Sequence, residues 1–221
     1  MMVQLHFGYR QTNMRTVLFI VLFAIIATLV LLLTQSKPAP APRPWDITLM
    51  ADGETQVFGI HLGTTTYRQA QELLHQYGHA GIFTQEDSQP SIEAYFNSIN
   101  LGGLSAKLVL NLAIDRIHIN DMLSRAVEAR LQPSGAHRYE LSNQDNAVLI
   151  NVPVIGITYI PSVRLNEEII RHRFGQPDHI EQDSDNNATE IWHYPALGLT
   201  IRLTAGEKTI LQYSQDHLVL L

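Results

Sequence analysis

Ten histidines and no cysteine among 221 residues confine any metal chemistry to imidazole and carboxylate ligands. His75 and His79 stand four apart, which on one helix would put both rings on one face, as a ligand pair needs. Gly78 lies between them and is expected to end that helix, so solvated or partly buried rings are the plainer reading. His172, His179 and His193 would form a zinc-like set only if the C-terminal part brings them together. Glu167 and Glu168 have the chemistry of paired acids, but carboxylates at a helix start are also favoured by the helix dipole. The stretch 183–187, Asp-Ser-Asp-Asn-Asn, carries calcium-type oxygens without the turn glycine or the distal glutamate, and reads as a polar turn. Ser105 has Lys107 at the wrong spacing for a Ser-x-x-Lys nucleophile, and the hydrolase, zinc-protease, phosphate-loop and dinucleotide motifs are missing from the sequence. No catalytic residue, metal site or cofactor is therefore assigned, and the chain is expected not to be an enzyme.

The elements that would position these residues show an internal echo. At a shift of 97 residues, Gly59-Ile60 falls on Gly156-Ile157 and Tyr77-Gly78 falls on Phe174-Gly175. Each copy reads as a short amphipathic helix. Thr66 with Gln69 makes a capping-box signal, followed by Ala70, Leu73, Leu74 and Tyr77 at helical spacing. Asn166 is the second N-cap, followed by Ile169, Ile170 and Phe174. Gly78 and Gly175 are the expected stops, and Pro177 cannot continue the second helix. Strands are predicted over 91–99, 106–119, 190–194, 197–203 and 209–213. Between the copies we expect a helix over 122–131, capped by Asp121, and a hairpin of 139–141 with 148–150. The fold class is α+β: an N-terminal transmembrane helix, then two helix-plus-antiparallel-sheet units.

The transmembrane expectation comes from residues 17–33, an apolar run broken only by Thr28. At ~1.5 Å per residue that run covers roughly 26 Å, near the ~30 Å of a hydrocarbon core. Arg10 and Arg15 precede it, and Lys37 and Arg43 follow without excess, which favours a cytoplasmic N-terminus. A cleaved secretory signal is the alternative; the length of the run and the poor exit Thr34-Gln35-Ser36 speak against it. The expected organisation is a cytoplasmic segment 1–16, a span 17–34, a Pro-rich strut 35–44, a first α+β unit 45–150 with an extra helix and hairpin, and a second unit 151–221. After the span, 13 basic residues face 21 acidic ones, a poor match for nucleic acid.

Residues 165–177 read Leu-Asn-Glu-Glu-Ile-Ile-Arg-His-Arg-Phe-Gly-Gln-Pro, and after a polar loop come Trp192-His193-Tyr194 and an amphipathic hairpin. This resembles the SmpA/OmlA (BamE) domain, whose hallmark is a capped short helix ending Gly-x-Pro, then Trp-x-Tyr opening a three-stranded sheet. The tandem is similar to the β-lactamase-inhibitor-protein fold. The first copy departs from the pattern, with Gly78-His79-Ala80 and no Trp-x-Tyr. With no cysteine the chain also cannot be lipidated as the BamE-type lipoproteins are. The resemblance implies a non-enzymatic binding or scaffold module of the bacterial cell envelope, acting through protein–protein contacts with an envelope partner. Together with the apolar run, it places the chain in the bacterial inner membrane as a single-pass protein, with its C-terminal domain periplasmic. The alternatives are an inhibitor of an envelope hydrolase, using a loop at 135–139 or 183–189, and a metal-binding protein or enzyme. No small-molecule substrate is evident. Trp192 and Tyr194 are the candidate binding residues; Gly78, Gly175, Pro177 and Phe174 are the candidate structural ones.

Overall fold

The computed structural model describes residues 14–34, 41–85, 88–132, 135–184 and 186–215. It divides into an N-terminal unit, 1–40, and a second unit, 41–221. The first unit holds α1, Met14–Thr34, whose described side chains are solvent-exposed. The expected transmembrane helix is corrected here, because among the described residues no helix is long and apolar enough to cross a membrane. The single-pass, inner-membrane placement with a cytoplasmic N-terminus and a periplasmic domain rested on that span and falls with it. The expected segment 1–16 and strut 35–44 lie mostly outside the described residues. Of the strut, Pro44 is buried, and its carbonyl accepts a 2.6 Å bond from the Tyr213 hydroxyl.

The second unit is mostly β. Its strands are β1 (Thr48–Leu49), β2 (Thr55–Val57), β3 (Ile60–His61), β4 (His79–Thr84), β5 (Ser91–Leu101), β6 (Leu104–Leu112) and β7 (Glu128–Leu131), then β8 (His137–Glu140), β9 (Val154–Pro161), β10 (His179–Gln182), β11 (Thr189–Tyr194), β12 (Leu199–Thr204) and β13 (Ile210–Ser214). The helices are α2 (Tyr67–Leu74), α3 (Arg116–Ser124), α4 (Asn143–Leu149) and α5 (Glu167–Phe174). β1 to β3 form a small sheet; the other ten strands make one antiparallel sheet ordered β10-β11-β12-β13-β9-β6-β5-β4-β8-β7. The two expected α+β units are thereby corrected to one continuous sheet. Helix-plus-meander segments, α2 to β6 and α5 to β12, lie in its two wings, bridged by the β13–β9 and β9–β6 pairings.

Side chains alternate across a strand, so register decides which rows share a face. One core row runs Tyr194, Leu199, Tyr213, Ile157, Leu110, Ala94, Ala80. The next runs Ile180, Trp192, Ile201, Leu211, Tyr159, Leu108, Phe96. The buried residues of α2 to α5 and of the β2–β3 hairpin join these rows in one core. Phe58, after β2, places its ring 5.2 Å from Tyr159 and 6.2 Å from Tyr213. The helices therefore cover one face of the sheet.

Local capping explains the helix boundaries. Thr66 and Gln69 form the reciprocal capping box of α2, and the Asn166 side chain accepts the Ile169 N–H of α5. α2 stops before the expected Gly78, with His75 taking the left-handed conformation at φ 50°. α3 starts earlier than expected because Asp115 accepts the Ile117 and His118 N–H groups. The expected hairpin turn at 142–146 is instead the start of α4, where Ser142 caps the Asp145 N–H.

Candidate functional site

The residues singled out from the sequence in the C-terminal part hold one another. Trp192 is fully buried on the helix-covered face. Its indole N–H donates to Glu190 at 2.9 Å, and the Arg171 guanidinium sits 4.3 Å over the ring. Tyr194, also buried, donates its hydroxyl to the Gly175 carbonyl at 3.2 Å, and its ring lies 6.2 Å from that of Phe174. Burial raises the Tyr194 pKa. Gly175 caps α5 at φ 85°, and Pro177 follows in the connection to β10. Gly78 receives the Tyr67 hydroxyl on its carbonyl at 2.9 Å.

The histidines divide between structure and surface. His75 ends α2 and His79 opens β4, so they do not share a helix face. His172 stays on α5, whose buried Ile170 packs in the core on the covered face. His179 and His193 are cross-strand neighbours on the opposite face, stacked with ring centroids 5.8 Å apart. Glu181 lies 3.2 Å from His193 and 4.0 Å from His179. Among the described residues, no group of three or more His, Cys, Asp or Glu is placed to hold a metal ion. Glu167 and Glu168 stand in the first turn of α5, where their charge suits the dipole. In the 183–189 segment the buried Asp183 pairs with Arg202.

The uncovered face is the part sequence reading missed. Register carries one row across eight strands: His179, His193, Thr200, Gln212, Thr158, Val109, Tyr95, His79. Half-buried Ile191, Ile210 and Ile160 flank it, with Arg202 and Lys107. Toward β8 the face becomes a built polar patch. The Tyr95 hydroxyl donates to Glu93 at 2.7 Å, the Ser91 hydroxyl donates to the other carboxylate oxygen at 3.2 Å, and Phe83 leans on Tyr95 at 5.1 Å. Burial, then the Glu93 carboxylate, pushes the Tyr95 phenol well above its ordinary range. The buried Arg138 Nε has no hydrogen-bond partner among the described residues. A groove of about 530 Å³ opens beside Phe83, Glu93, Tyr95 and Gln132. The alternation in 106–112 was the available signal for this face. It could not be assembled without knowing which strands pair.

No family model matches this chain, and no curated protein or solved structure matches it.

Proposed function

We propose that the chain is a non-catalytic binding module that engages another protein through the uncovered face of its ten-stranded sheet. The observation that carries this reading is the eight-strand row from His179 to His79. With the flanking Ile191, Ile210, Ile160 and Arg202, it mixes half-buried aliphatic and aromatic side chains with His, Thr and Gln, while the helices pack on the other side. A mixture of aromatic, aliphatic and polar side chains is the composition of protein interfaces. The chain's net charge of −6 favours a protein partner over nucleic acid.

Site-specific photo-crosslinking tests it. A crosslinker at Gln212, exposed on this face, should capture one recurrent partner, whereas one at Glu168, exposed on α5, should not. Capture from Glu168 alone, or from neither position, would overturn the reading.

A further inference from the structure

The ten-stranded sheet ends in two edges, β10 and β7. Edge strands present unpaired backbone groups that can template pairing with another chain. All four residues of β7 are exposed, and the flanking Val127 is 73% exposed beside Leu131 at 68%. Gln132 N–H bonds the Ala136 carbonyl. With the β7–β8 register, antiparallel alternation then turns the amides and carbonyls of Glu128 and Arg130 toward β8. Those of Ala129 and Leu131 point to the open edge, while the Val127 N–H turns back to the Glu140 carbonyl at 3.0 Å.

The order of side chains along this edge is Val127, Glu128, Ala129, Arg130, Leu131. We infer that β7 pairs antiparallel with β7 of a second copy about a two-fold axis at Ala129, joining two sheets into one. That axis sets Ala129 against Ala129 and Glu128 against Arg130 of the other copy. The Ala129 pair exchanges two backbone hydrogen bonds, which makes Glu128 and Arg130 a non-hydrogen-bonded pair, the geometry with the closer side chains. Within one copy the Arg130 guanidinium bonds both Glu128 carboxylate oxygens, at 3.0 and 2.9 Å, and lies 3.8 Å from Glu140, so the axis sets two such pairs side by side with each carboxylate next to the guanidinium of the other copy. The other edge lacks this property: antiparallel self-pairing of β10 sets His179 against Gln182 and Ile180 against Glu181. This surface lies at the sheet edge and is independent of the uncovered face proposed above.

The chain contains no cysteine, so a single introduced thiol reports alone. In the full chain, held in a mild detergent that covers the exposed side chains of α1, Ala129→Cys should give a covalent dimer with a short bismaleimide. Glu181→Cys, on the opposite edge, should not. Adding Glu128→Arg turns the two pairs between copies, and the Glu128–Arg130 pair within each copy, into like-charge contacts and should slow crosslinking by roughly tenfold. Adding Glu128→Arg with Arg130→Glu restores complementarity and should recover the rate. Melting curves identify any variant that fails to fold; Arg130→Glu alone then replaces Glu128→Arg. Crosslinking of Ala129→Cys no faster than Glu181→Cys overturns the inference. So does a rate indifferent to the single reversal, or a folded double reversal that stays slow.

Discussion

Replacing Trp192 by alanine tests the division of the sheet into a covered and an uncovered face. Trp192 is fully buried, and its row neighbours Ile201, Leu211 and Tyr159 are fully buried too. Truncating such a side chain costs ~3–5 kcal/mol through lost burial and the cavity left behind. The lost indole bond to Glu190 and the Arg171 contact act in the same direction. At ~2–4 °C per kcal/mol for a chain of this size, the melting midpoint should fall by roughly 6–20 °C. Ile191 is the internal control, since it is the preceding residue of the same strand and points to the uncovered face, half-buried. Ile191→Ala should cost no more than ~1.5 kcal/mol. The assay is thermal melting by circular dichroism with urea unfolding alongside. An unchanged midpoint for Trp192→Ala, or an equal loss for Ile191→Ala, would invert the face assignment and remove the basis of the proposed binding surface.

Gly78→Ala and Gly175→Ala should both destabilise, for different reasons. A β-carbon on Gly78 would lie 2.7 Å from the Phe96 ring and 2.9 Å from the Tyr67 hydroxyl, an overpacking cost of ~1–3 kcal/mol that Phe96→Leu should partly relieve. A β-carbon on Gly175 meets nothing within 4 Å, but φ 85° with ψ −165° is essentially glycine-only, so ~1–3 kcal/mol should be lost that no neighbour's trimming restores. Urea midpoints of the single and double variants separate the two causes. Stability should also depend on acid through Asp145, a buried carboxylate held below the usual range chiefly by the Arg125 guanidinium at 2.7 Å, and also by the Ser142 hydroxyl at 2.6 Å. A depressed folded pKa means the unfolded chain takes the proton first. This contribution is therefore present above the ordinary carboxylate pKa of ~3.9 and lost as pH falls through the lower folded value. Arg125→Met should lower stability near neutral pH and flatten this acid dependence, so that variant and parent converge as pH falls; a gap between them that does not change with pH would remove the coupling.

Legibility followed the strength of local signals. The strands β11 to β13 and the helix α5 lie close to where periodicity and capping put them, because Asn166, Gly175 and the 205–208 turn mark their ends unambiguously. α3 was misplaced because Ile114, Ile117 and Ile119 fit a strand's alternation as well as a helix face, and Asp115 decides between them only through its bonds to two backbone amides. α4 was missed because Ser142 and Asp145 look like turn residues until the Ser142 side chain is seen to cap the Asp145 amide. β7 and β8 carry little apolar signal; the β4–β8 and β8–β7 pairings make them strands.

The site was harder to read than the fold, and the reason is register. Tyr95 and Thr158 lie 63 residues apart in sequence, and each looks like an ordinary polar-side strand residue. They share a row only because both pair directly with Val109. Trp192 and Tyr194 stand out by residue type, yet type alone cannot say which side of β11 meets the helices. The packing around them settles that side, with Arg171 over one ring and the Gly175 carbonyl bonded to the other. The same logic applies at the edge. Val-Glu-Ala-Arg-Leu is unremarkable inside a chain, and its self-complementarity acquires meaning only once β8 occupies one side and leaves the Ala129 and Leu131 amides facing out. Strand order therefore decides both proposed surfaces: the β6–β9 pairing assembles the face, and the terminal position of β7 exposes the edge.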